Sequence, residues 1–174
     1  PEDYTNRGRI ITPLKDRFGA QIRTHYPLDA GTELTIVEQE AELPNDVAVR
    51  MPEFMGEIVA TFSQLARHSS HVNQRSGVSV RLSVANYETL VANAMRRSLR
   101  TGEQMVVPRV SDLDALASST IGKVEFETLD DGREGEIIDH LLRAAVLTVF
   151  KESVSPTTHR AVIEAFEDGS AVSA

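Results

Sequence analysis

Two arginines in this sequence stand where a cation has chemistry to do. Arg17 lies in Leu14-Lys15-Asp16-Arg17-Phe18-Gly19, just before a stretch with the alternation of a strand. Arg81 follows Gln74-Arg75-Ser76-Gly77-Val78-Ser79, in the first turn of a long predicted helix. A helix N-terminus already carries partial positive charge, so a cation there is disfavoured unless an anion faces it. A polyphosphate is one such anion. A carboxylate further along the same helix, Glu88, is the other.

The remaining candidates have plainer readings. His68 and His71, with His25, have the residue types of a metal site, but H-x-x-H in a polar loop without a fixed third ligand reads as solvated, so no metal is expected. Arg96, Arg97 and Arg100 cluster at the far end of the long helix, where cations suit the macrodipole. Asp130-Asp131 reads as a turn, and Glu125 and Glu127 as the wet edge of a strand rather than as paired catalytic acids. Val124 and Phe126 could line an exposed apolar groove for a partner. Neither Ser-His-Asp spacing nor Gly-x-Ser-x-Gly occurs, and G-x-x-x-x-G-K-[ST] is absent.

The elements that must position these residues are mostly helices. A short helix is predicted around 13–18, ended by Gly19, and then a strand over 21–26 in which Ile22, Thr24 and Tyr26 alternate with Gln21, Arg23 and His25. Asp29 or Thr32 can cap a helix running to about Leu43. A second helix over 52–67 carries Phe54, Ile58, Phe62 and Leu65 on one stripe. Ser79 is a good N-cap for the long helix to about Leu99, whose apolar face holds Tyr87, Val91, Ala94 and Met95. After a break at 102–109 come a short helix over 111–119 and an extended or hairpin piece near 123–127. An amphipathic helix over 134–151 presents Ile138, Leu141, Leu142, Ala145 and Val149 to one side, and a last helix is predicted from about 155 to 167. A lone strand is not stable in water, so its partners are expected upstream and the chain reads as part of something longer.

Composition narrows the classes. With aromatics at 5% and no Trp, the core must be built from Leu, Val, Ile and Ala, which favours helices. A formal charge of −8 argues against a general nucleic-acid or anionic-membrane surface. The absence of Cys removes disulfides, thiolate metal sites and Cys nucleophiles, and suits a cytoplasmic protein. No apolar run approaches the ~20 residues of a membrane span.

The order of these pieces resembles one family. Pro-Glu-Asp-Tyr-Thr-Asn-Arg-Gly-Arg at 1–9, ITPLKDRFGAQIRTHYP at 11–27 and QRSGVSVRLSVANYETLVANA at 74–94 are similar to the C-terminal part of AAA+ ATPases of the magnesium-chelatase branch. The segments GKVEFE and DDGREGEIIDHLL resemble a chelatase-like bacterial subgroup of it, so the likeness runs to about residue 151. The fold it implies is mainly α: the end of an α/β nucleotide-binding core over 1–28, a helical lid over 29–102 and a small C-terminal extension over 103–174. Under that resemblance Arg17 would be an arginine finger reaching a neighbouring subunit's ATP, where such a residue contributes about 10³ to 10⁵ in rate. Its planar fork is not reproduced by Lys. Asp16 would orient the finger, or stay a solvated residue, and Arg81 would be the sensor-2 arginine touching the γ-phosphate from the lid. The resemblance further implies ATP and Mg²⁺ in the longer protein, a homo-oligomeric ring of six subunits, and a von Willebrand-type partner. Since the phosphate-binding motif is absent, this chain alone should not turn over ATP. A non-catalytic helical interaction module is the rival reading.

Overall fold

The computed structural model describes residues 16–20, 22, 24–73, 76–127, 132–154, 160 and 164. It is mainly helical. The helices are α1 (Ala30–Glu40), α2 (Glu53–His68), α3 (Val80–Thr101), α4 (Leu116–Ile121) and α5 (Glu134–Ser153), with a 3₁₀ turn at Val110–Ala115 leading into α4.

Each boundary has a local cause. Asp29 opens α1 by accepting the Thr32 amide at 2.7 Å and the Thr32 hydroxyl at 2.9 Å. The same amide bond holds the Asp29 carboxyl below the usual aspartate range. Ser79 caps α3 by accepting the Arg81 amide. Gly102 ends α3 in the left-handed region at φ 73°, where its amide bonds back to the Ser98 carbonyl. Glu53 in the first turn of α2, and Arg67 and His68 in its last, are placed as the macrodipole favours.

α2 is the central element. α5 lies along it, α1 packs against both α2 and α3, and the 3₁₀ turn and α4 cover α3. The core between them is made of Val37 from α1, Met55, Val59 and Phe62 from α2, Leu82, Leu90 and Val91 from α3, and Ile138, Ala145 and Val149 from α5. Burying each of the larger aliphatic or aromatic side chains contributes about 1.5–3 kcal/mol. The expected stripe of α5 is buried in full. Phe54, placed on the α2 stripe from its spacing, points outward instead and is 41% exposed.

Among the described residues, two isolated bridges stitch the loops. Val49 pairs in parallel with Val106, through Val106 N–Ala48 O and Arg50 N–Val106 O, both 2.9 Å. Val72 pairs antiparallel with Phe126, through Asn73 N–Glu125 O at 2.8 Å and Glu127 N–His71 O at 2.9 Å. The second bridge is the extended piece expected near 123–127, but it does not expose an apolar groove. Val124 is buried in the core and Phe126 packs, partly buried, against it.

The strand expected over 21–26 is corrected. Among its described residues, Ile22 and 24–26 form no ladder, and Ile22 is almost fully exposed. A strand is made by its hydrogen-bonding neighbour, and among the described residues none lies beside this one. Asp16 and Arg17 occupy a turn, not a helix, while the first residues of that predicted helix lie outside the described residues. Of the last predicted helix only Arg160 and Glu164 are described, both helical and joined by an ion pair at 2.7 Å. Among the described residues, no helix is long and apolar enough to cross a membrane.

Candidate functional site

Arg81 takes its position from Ser79. The Ser79 side chain fixes the first turn of α3, and Arg81, two residues on, extends into solvent. Glu88, the carboxylate that could have paired with it, is committed elsewhere: its Oε1 accepts the Glu42 amide at 2.9 Å, holding the loop that leaves α1. Among the described residues the Arg81 guanidinium has no hydrogen bond or ion pair. Among the described residues, an exposed cation therefore stands in the first turn of a helix with no carboxylate bonded to it.

That cation opens on a cleft of about 520 Å³. It is lined by Tyr26, the apolar residues Ile36, Val80, Val84 and Ala85, a second cation in Lys123, and the acids Glu40 and Glu88. Aromatic face, apolar wall, cations and acceptors thus meet in one place, the mixture that marks small-molecule sites.

Joined to this cleft through Tyr26 is a polar network that sequence reasoning missed. Arg67 of α2 donates from Nη1 to Glu33 Oε2 at 2.5 Å and from Nη2 to Glu33 Oε1 at 2.6 Å, a bidentate fork. Its Nε donates to the Val78 carbonyl at 2.9 Å. The Ser83 hydroxyl donates to Glu33 Oε1 and accepts from Ser63, 2.7 Å away. Glu33 is 0% exposed and the Arg67 side chain 7%. Ion pairing and the Ser83 hydroxyl, itself backed by Ser63, satisfy a carboxylate that could not otherwise be buried. One guanidinium thus ties α1, α2 and the chain entering α3 together. The sequence held a signal: Glu33 precedes Val37 by one turn on the buried face of α1, and Arg67 follows Ser63 by one turn on α2. Two lone charges of opposite sign, each on an apolar stripe, are best explained by one another.

Tyr26 joins the network from outside. Its ring lies over the Arg67 guanidinium, with Cζ 4.8 Å from the ring centroid. Its hydroxyl faces Gly77, at φ 69°, where a Cβ would collide with it. Tyr26 also lines a second cleft of about 370 Å³ that holds His25, His68 and Arg67. There His25 Nδ1 is 2.7 Å from the Tyr26 carbonyl and His68 Nδ1 is 2.8 Å from the Gln64 carbonyl. A carbonyl only accepts, so Nδ1 is the donor in each contact. Among the described residues no three His, Asp or Glu side chains gather as a metal would require.

The other predicted residues fall apart from this site. Asp16 and Arg17 are exposed and line neither cleft around Tyr26. Arg97, grouped by sequence with Arg96 and Arg100 as a helix-end cation, is instead the hub of a clamp. It reaches Asp112 Oδ2 at 3.0 Å, Glu103 Oε1 at 2.8 Å and the Val107 carbonyl at 2.7 Å. Asp112 also accepts the Arg109 amide at 2.9 Å. The bond to Asp112 raises the Arg97 pKa, and the bond from Arg97, with a smaller one from Thr101, holds Glu103 below the usual glutamate range. Tyr87 is shifted up, first by burial and then by the charge of Glu38.

Comparison with known protein families, with curated proteins and with solved structures finds no match.

Proposed function

We propose that this chain is the lid-bearing C-terminal part of a chelatase-like AAA+ ATPase, with Arg81 reading the phosphates of a bound nucleotide and Arg17 serving a neighbouring subunit's site. The observation that carries the reading is Arg81 itself: an exposed arginine in the first turn of a long helix, freed of Glu88 and opening on a cleft walled by an aromatic ring. A nucleotide matches that cleft in kind. Its phosphates suit Arg81 and Lys123, its sugar hydroxyls suit Glu40 or Glu88, and its planar base suits Tyr26 and the apolar wall. Mg²⁺ and the phosphate-binding loop would come from the other half of the longer protein. A ring of subunits, six by the resemblance, is part of the proposal because a finger in trans needs a neighbour.

The test is ATP turnover by the longer protein that includes the phosphate-binding half, with Arg17→Ala subunits titrated in. A loss steeper than the fraction of variant added is expected, with ATP binding retained. Unchanged turnover in a fully substituted ring sinks the finger. A separate Arg81→Ala variant should bind ATP yet lose the nucleotide-dependent change in the lid.

A second reading, a non-catalytic helical interaction module, is favoured by one feature. Val110, Leu147 and Phe150 are all about half exposed and share an apolar cleft of about 400 Å³ between the 3₁₀ turn and α5. Assembly that responds to nucleotide supports the ATPase reading; assembly indifferent to nucleotide supports the module.

A further inference from the structure

Tyr26 is shared by the two clefts, and the residue beneath it cannot move out of its way. Arg67 is fixed by both Glu33 oxygens and by the Val78 carbonyl. Val78 immediately precedes Ser79, the cap that sets Arg81. The guanidinium that seats the Tyr26 ring therefore also holds the backbone that delivers Arg81. On the other side Gly77 lets the ring close down, since any Cβ there would meet the hydroxyl. Yet Tyr26 is 46% exposed and belongs to no core cluster, so few contacts hold it and a modest force releases it.

We propose that Tyr26 is a positioning residue for Arg81, a latch through which the segment at 24–28 sets the first turn of α3. The proposal rests on the nucleotide-lid reading for what Arg81 touches, but the latch itself does not need a ligand. With the ring seated on Arg67, the Arg81 cleft has its aromatic wall and the turn from Gly77 to Arg81 is fixed. With the ring displaced, the cleft loses that wall and the Arg67–Val78 bond is opened to water that competes for it. Movement of the 24–28 segment is thereby converted into order or disorder at Arg81.

Two measurements on the 174-residue chain test this. The first is amide hydrogen exchange at Gly77, Arg81 and Leu82, whose amides bond to Asn73, Ser79 and Ser79 respectively. Tyr26→Phe keeps the ring and should leave exchange within about twofold of the native rate. Tyr26→Leu keeps apolar bulk but loses the cation–ring contact, and should speed exchange at these amides about tenfold. Gly77→Ala is no substitute, because at φ 69° it strains the turn whether or not the ring is seated. Leu protecting as well as Phe overturns the latch. Far-UV dichroism checks that each variant folds.

The second measurement follows the Arg81 side-chain Nε–H resonance by NMR as tripolyphosphate is added. A shift in the native chain, weakened about fivefold by Tyr26→Leu and restored by Tyr26→Phe, is the expected result. An equal response in the Leu variant overturns the coupling of Tyr26 to Arg81. No response in the native chain counts against the nucleotide reading alone, because the exchange pattern reads the latch without any ligand.

Discussion

The two ends of α3 use arginine in opposite ways. At the C-terminal end Arg97 spends its guanidinium on Asp112, Glu103 and the Val107 carbonyl, binding the helix to the chain that follows it. At the N-terminal end Arg81 is bound to nothing among the described residues, although Glu88 lies on the same helix. The helix field makes the first position the favourable one for a cation and the second the costly one. Arg67, packed against the start of α3, shows that this end does not lack the means to satisfy an arginine: both oxygens of Glu33 and the Val78 carbonyl bind it. Saturation marks residues that hold the fold. The unsatisfied arginine in an unfavourable field is the one left for something else.

That contrast can be broken by measuring stability at each place. Glu33→Ala strands the Arg67 charge in a dry site, and unfolding in urea should show a loss of about 3–5 kcal/mol. A Glu33→Leu, Arg67→Met double variant should recover much of it; failure to recover would mean that the network does more than balance charge. Asp112→Ala removes the acceptor of Arg97 and of the Arg109 amide, and the same measurement should show about 1.5–3 kcal/mol. Glu103 is tested by pH. Its folded pKa is lowered, so the unfolded chain binds the proton more tightly and the stabilisation is complete at neutral pH. It should be lost as pH falls below ~4.3 and through the lower folded value. Glu103→Gln should flatten that part of the acid limb in melting curves, and an unchanged limb would place the loss on other carboxylates. The smallest effect belongs to Arg81→Ala, expected within about 0.5 kcal/mol of the native chain. A large loss there would reveal a structural role and remove the contrast on which the functional reading stands.

Much of the helical frame was legible in the sequence because caps and stripes are local. Asp29 and Ser79 cap as their side chains predict, and all five apolar positions of α5 are buried. Arg81 was legible for the same reason, since its anomaly is one of position along a single helix. What was hidden depends on neighbours distant in sequence. The Glu33–Arg67 fork joins residues on two helices, and nothing within either helix specifies the other. The macrodipole accounts for a cation at Arg97 but not for its three partners beyond Gly102. Alternation at Ile22, Thr24 and Tyr26 looked like a strand, yet its one packed side chain, Tyr26, is turned onto Arg67 by a stacking contact that no periodicity encodes. The site around Tyr26 was therefore half visible: its cation could be read, its aromatic wall could not.

The two loop bridges bear on the order in which the molecule assembles. Val49 meets Val106 only after α2 and α3 have both been traversed, and Val72 meets Phe126 across α3, the 3₁₀ turn and α4. Each closes a long loop for a pair or so of backbone bonds, a poor exchange before the helices have packed and a free gain afterwards. Helices form on local contacts, so the bundle condenses first and the bridges fasten last. They should consequently be absent from the folding transition state, and weakening them should hasten unfolding while leaving the rate of folding nearly untouched.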